Sequence, residues 1–157
     1  NMMKEIGWLT MSVIVWDKKN VSARTAWGSF ASPSSPSMPT PFEYILVFAK
    51  DKYKLSKDIE SVSDITNEEF VDWSLAMWSF AGEKRSKIGH PAPFPVELPL
   101  RCVKFFSWRD AIVYDPFAGS GTTALACMET GRKFIGSEIS SNYVDIALDR
   151  IGVAIHD

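Results

Sequence analysis

Two carboxylates bracket a glycine turn in this chain. Asp115 opens the string Asp115-Pro116-Phe117-Ala118-Gly119-Ser120-Gly121-Thr122-Thr123, and Glu138 closes the next apolar run, Lys133-Phe134-Ile135-Gly136-Ser137. Glycines at 119 and 121 let a backbone approach a ligand closely and take positive φ without steric cost. An acid about 20 residues beyond the first glycine is placed to accept hydrogen bonds from ribose hydroxyls. The pattern points to a nucleoside-bearing cofactor. Each group also has a plainer use: Asp115 as a cap on its own turn, Thr122 and Thr123 as helix caps, Glu138 as a surface acid ending a strand.

Such a turn works only if regular elements hold it. Ala111-Ile112-Val113-Tyr114 reads as an apolar strand feeding the turn, and Thr122 to Met128 as a helix stopped by Gly131. A second strand then ends at Glu138, which makes a strand–turn–helix–strand unit. Ser140 or Ser141 caps a last helix whose Tyr143, Ile146, Ala147 and Ile151 form an apolar stripe. Upstream, Pro99 suits the first turn of a helix running towards Phe106. Residues 8 to 16 and 42 to 49 read as strands, separated by a Ser- and Pro-rich loop from Ala31 to Pro41. Thr66-Asn67-Glu68-Glu69 has the capping-box spacing, opening a helix with Phe70 and Trp73 on one side. Trp73, Trp78 and Phe80 serve either as core or as stacking platforms for bases.

Gly119-x-Gly121-x-x-Ala124 satisfies the dinucleotide fingerprint in its Gly/Ala form, so a nicotinamide or flavin oxidoreductase is one reading. The longer string is narrower. Asp-Pro-Phe-Ala-Gly-Ser-Gly-Thr-Thr resembles the S-adenosylmethionine motif of the beta-class DNA amino-methyltransferases, which methylate the exocyclic amino group of adenine or cytosine. Other segments resemble that family in its order: Gly7 to Asn20, with Val13-Ile14-Val15-Trp16-Asp17-Lys18; then Arg24 to Ser29; then Pro41 to Lys50. His90-Pro91-Ala92-Pro93-Phe94-Pro95 sits where the family places the segment that closes over the cofactor. Many members have Thr, Gln and Lys where this chain has Ala92, Pro93 and Phe94, so side-chain cover here comes from the apolar Phe94 and the rest from backbone.

The resemblance implies an α/β, partial Rossmann-like fold with a doubly wound sheet, and a role for each residue. Asp115, Phe117, Gly119 and Gly121 would face the methionine moiety, Thr122 and Thr123 would begin the helix beside it, Glu138 would take the ribose, and Ala92 and Phe94 would cover the cofactor. It further implies one partial domain over 1–157, with 51–89 as the target-recognition insertion and 90–157 as the cofactor-binding part. The family's catalytic loop is Asp, Asn or Ser before Pro-Pro-aromatic, and no Pro-Pro dipeptide occurs here. The chain therefore reads as the C-terminal part of a methyltransferase, with no catalytic residue of its own. The expected partners are double-stranded DNA and either an N-terminal polypeptide or a second copy. A non-catalytic module that keeps the fold to bind DNA or a partner is the further reading.

Composition bounds these readings. At 157 residues and 46% hydrophobic, the chain can bury one core. A net charge of −2 gives no global footprint for nucleic acid, so DNA contact would rest on local clusters: Lys50, Lys52, Lys54 and Lys57, or Lys84, Arg85 and Lys87. Cys102 and Cys127 lack zinc spacing and read as reduced core thiols, so no metal is expected. Without an evident signal peptide or a run of about 18 apolar residues, the expectation is a cytoplasmic protein off the membrane.

Overall fold

The computed structural model describes residues 2–19, 32–35, 38, 40–57, 60–83 and 94–156. Arg24 to Ser29, Lys84, Arg85, Lys87 and His90 to Pro93, Ala92 included, lie outside the described residues. Two compact units divide the chain: residues 1–56 with 75–82, and residues 57–74 with 83–157.

The first unit is built on a three-stranded sheet. Helix α1 (Met2–Glu5) leads into β1 (Trp8–Asp17), which pairs antiparallel with β2 (Phe42–Lys50) and parallel with β3 (Met77–Ser79), in the order β2-β1-β3. The pairing slips by one residue between Thr10 and Ser12, so Met11 is a bulge that resets which side chains share a face. Ile14, Trp16 and Trp78 are buried together with alternating period. Trp16 stacks on Phe80 at 5.3 Å between ring centroids and donates its indole N–H to the Phe80 carbonyl at 3.0 Å. A buried indole needs that partner. On the other face, Val13 pairs with Leu46 and Val15 with Tyr44, and Val13, Leu46 and Tyr44 are exposed.

In the second unit, β4 (Ile112–Asp115), α4 (Thr122–Thr130) and β5 (Lys133–Gly136) form a βαβ motif with parallel strands in the register Asp115↔Gly136. The unit also contains α2 (Asn67–Trp73), α3 (Glu97–Phe106) and α5 (Ser141–His156). Thr66 and Glu69 form the expected capping box, each side chain taking the other's backbone N–H at 3.1 and 2.9 Å. Pro99 lies buried in the first turn of α3. Gly131 ends α4 in the left-handed region at φ 66°, returning its N–H to the Cys127 and Met128 carbonyls. Ala124, Ala126 and Cys127 bury one side of α4 where it packs on α3.

An ion pair fastens residues 60–74 to this unit. Arg132, with its side chain wholly buried, grips both Asp64 oxygens at 2.5 and 2.8 Å and donates to the Ser107 and Thr130 carbonyls. Burial raises the Asp64 carboxyl, but the hydrogen bonds and charge of Arg132 outweigh it and hold it below its ordinary value. Glu69 also sits low: burial opposes the shift, and the Lys104 ammonium at 2.6 Å drives it. Trp73 is buried against the cations of Arg101 and Lys104, at 5.1 and 5.5 Å. Trp73, Trp78 and Phe80 are thus packing residues, and the base-stacking alternative falls away for the two buried indoles. Both cysteines are free thiols, Cys127 buried and Cys102 half-buried, and burial pushes each up to about 11, so they remain protonated and inert.

The fold class is α/β, as the sequence implied. Its two-stranded sheet has one covered and one bare face: Ile112, Tyr114 and Ile135 are 64%, 60% and 53% exposed on the side away from Val113 and Phe134. Among the described residues no helix is long and apolar enough to cross a membrane, and no cluster of metal-ligating side chains occurs.

Candidate cofactor site

The turn between β4 and α4 is tied down residue by residue. Asp115, the last residue of β4, accepts the Phe117 N–H on Oδ1 at 3.0 Å and the Thr123 hydroxyl on Oδ2 at 2.7 Å. Its carboxylate therefore spans the turn, joining the strand end to the first turn of α4. Gly119 and Gly121 take φ of 53° and 78°, the left-handed values that favour glycine. A hydrogen bond from the Gly121 N–H to the Ala118 carbonyl at 2.9 Å closes the loop.

Gly121 has a second reason to lack a side chain. A Cβ there would lie 3.0 Å from the Ala147 Cβ, so α5 can pass behind the turn only because this position is bare. Gly121, not a threonine, holds the N-cap position of α4 and supplies no side-chain cap. Thr122 is buried with its hydroxyl accepting from Arg150 at 3.2 Å, while Thr123 donates to Asp115. Both threonines anchor the turn to its surroundings rather than capping the helix.

Glu138 reaches the same loop from the other strand. Although β5 ends at Gly136, two residues before the expected end, the chain continues so that Glu138 Oε2 accepts the Gly119 N–H and Oε1 the Ser140 N–H, each at 2.9 Å. The Ala118 N–H to Ser137 carbonyl bond, at 3.0 Å, runs alongside. Ser140 stands at the start of α5, its carbonyl taking the Tyr143 and Val144 N–H groups. Two acids far apart in sequence thus flank one glycine turn. A carboxylate has about four lone-pair sites, so bonds to backbone donors are compatible with further acceptance from hydroxyls.

The remaining expected residues differ in placement. Phe117 projects from the turn and is 87% exposed, an apolar ring beside the two acids. Phe94 is half-buried ahead of α3, and Ala92 lies outside the described residues. Sequence reasoning overlooked Arg150, whose guanidinium donates to Ser120 and Thr122. An arginine late in a helical stripe carries no local signal of a partner 30 residues upstream.

Comparison with known proteins places this turn in context. A family model described as DNA methylase matches residues 1–149. The Type II methyltransferase M.MjaI of Methanocaldococcus jannaschii is 33% identical over 96% of this chain and 52% of its own length. M.Cfr9I of Citrobacter freundii is 30% identical over 95% of the chain and 46% of its own. Among solved structures, the DNA modification methylase TTHA0409 of Thermus thermophilus, in complex with S-adenosyl-L-methionine, superposes with a TM-score of 0.76 at 28% identity, covering 96% of this chain and 56% of that one. The chain thus spans about half the length of the relatives it matches. With the glycine turn, its two flanking acids and the family match over 149 residues in agreement, the chain belongs to the DNA methylase family, in the beta class of amino-methyltransferases.

Proposed function

We propose that this chain is the S-adenosylmethionine-binding part of a DNA methyltransferase that methylates the exocyclic amino group of adenine or cytosine in double-stranded DNA. The observation that carries the reading is the 2.9 Å bond from the Gly119 N–H to Glu138, which brings the acid to the glycine turn as a ribose-binding carboxylate requires. Asp115, Phe117, Gly119, Gly121, Thr122, Thr123 and Glu138 are the proposed cofactor residues, with Phe94 and Ala92 closing over the site. S-adenosylmethionine supplies a methyl group already activated on a sulfonium. The protein's task is then chiefly to align donor and acceptor, an effect worth up to about 7–11 kcal/mol when fully realised.

The acceptor side belongs, on this proposal, to the Pro-Pro-aromatic loop that these 157 residues do not contain. That loop would draw on the N–H groups of the target amine and hold the flipped base, so this chain alone transfers no methyl groups. The exposed stripe of Ile112, Tyr114 and Ile135 supports an N-terminal polypeptide, or a second copy, as its cover. Exposed Lys50, Lys52 and Lys54 offer a small phosphate-facing cluster.

Calorimetric titration with S-adenosylmethionine, its demethylated product and NAD tests the reading. Binding of the first two and not the third is expected. NAD binding without a response to S-adenosylmethionine overturns it in favour of an oxidoreductase site.

A further inference from the structure

We infer that Arg150 is a positioning residue for the cofactor turn, fixing from the helix side the shape that Glu138 fixes from the strand side; the inference rests on the cofactor reading of that turn. A single nitrogen of Arg150, Nη1, donates to the Ser120 carbonyl at 2.5 Å, the Ser120 hydroxyl at 2.9 Å and the Thr122 hydroxyl at 3.2 Å. Ala147 lies three residues earlier, on the same face of α5, and it is the wall against which Gly121 packs. One helical turn of α5 therefore supplies both the contact and the clamp.

Consecutive turn residues are held in different ways. Gly119 is bonded to Glu138, Ser120 and Thr122 to Arg150, and Thr123 to Asp115, while Gly121 is confined by Ala147. Glycine has the largest backbone freedom to lose, and two left-handed glycines in one turn would otherwise sample many shapes. Freezing them before a ligand arrives removes an ordering cost from binding. Arg150 is suited to this because it reaches a backbone carbonyl as well as two hydroxyls, so it fixes the peptide itself. Its side chain works through Ser120 and Thr122 and is assigned no contact with the cofactor.

The test uses the full 157-residue chain and the variants Arg150→Met, Arg150→Lys and Lys104→Met, the last a control whose partner Glu69 is remote from the turn. Amide hydrogen exchange at residues 119–122 reports the turn without any cofactor, and calorimetry with S-adenosylmethionine reports the site. Arg150→Met is expected to speed turn exchange about tenfold relative to Ala126 and Cys127 within α4, and to weaken cofactor binding by about tenfold, the loss of a charged hydrogen bond. Arg150→Lys restores most of both, because a lysine can also bring one cationic nitrogen to the three acceptors. Lys104→Met lowers the melting temperature while leaving turn exchange and affinity within about twofold. If Arg150→Met speeds exchange no more at the turn than inside α4, or loosens the turn without changing affinity, the inference is overturned. A wild-type chain that binds no S-adenosylmethionine would sink the cofactor reading, and the exchange arm would still decide whether Arg150 sets the turn.

Discussion

The β4–α4 turn and the bare face of the β4–β5 sheet lie a few residues apart and are built on opposite terms. Around the turn, Asp115, Thr123, Glu138 and Arg150 find partners within the unit, and backbone N–H groups at 117, 119, 121 and 140 are all satisfied. Across the sheet, Ile112, Tyr114 and Ile135 present large side chains to solvent, and only two strands pair among the described residues. The contrast separates what local sequence can complete from what must be completed by other polypeptide. Hydrogen bonds saturate over short distances, whereas an apolar face is finished only when a second layer covers it.

The largest effect that follows is on catalysis. Purified alone, the chain should show no tritiated methyl transfer to mixed-sequence duplex DNA, because each lost 1.36 kcal/mol of transition-state stabilisation costs about a factor of ten in rate. Adding an upstream polypeptide with Ser/Asn/Asp-Pro-Pro-aromatic should bring activity up from background. Turnover by the chain alone would show the contrast to be misdrawn, and a matched partner that fails to restore it would favour the non-catalytic module.

Asp64→Ala comes next, since it strands the buried Arg132 guanidinium without its carboxylate; a loss of about 3–5 kcal/mol is expected in chemical denaturation. The same pair sets an acid limit. Asp64 and Glu69 are both held below their ordinary values of 3.8 and 4.5, so their stabilisation is complete above that range and drains away as pH falls through the lower folded values. Melting curves between about pH 7 and pH 3 should show a smaller acid loss for Asp64→Asn than for the wild type. Equal losses would mean that other carboxylates carry the acid response.

Glu138→Ala should weaken S-adenosylmethionine binding by roughly 1.5–3 kcal/mol, through the ribose bonds and the loosened Gly119 contact together. Isothermal titration checks this, and an unchanged dissociation constant would return Glu138 to the role of a strand-end acid. The smallest change in stability is expected from Tyr114→Ser with Ile135→Thr, within about 0.5 kcal/mol for exposed positions. Their signature lies elsewhere: sedimentation should show less self-association, and hydrophobic-dye binding should fall. A wild-type chain that is a clean monomer without dye binding would remove the bare face from the comparison.

Much of this molecule was legible without coordinates because the relevant forces are local. Strand alternation placed β1 and β2 to within a residue, the Thr66–Glu69 spacing fixed the start of α2, and Gly131 stopped α4 because a left-handed C-cap costs glycine least. The glycine turn and its two acids were readable for the same reason. Their spacing along a βα unit is set by the geometry of strand, helix and strand.

Tertiary structure decided the choices among partners. Spacing left Asp115 and the threonines with several uses; packing assigned Asp115 to bridge Phe117 and Thr123, and turned Thr122 towards Arg150. It gave Gly121 a steric duty against Ala147 that no motif announces. It also fastened residues 60–74 to the second unit through Asp64 and Arg132, 68 positions apart. Sequence specifies which groups can bond and how the nearby backbone runs, but a buried cation takes whichever carboxylate the fold delivers, because leaving it unpaired costs several kcal/mol. That selection is made only when distant segments are brought together.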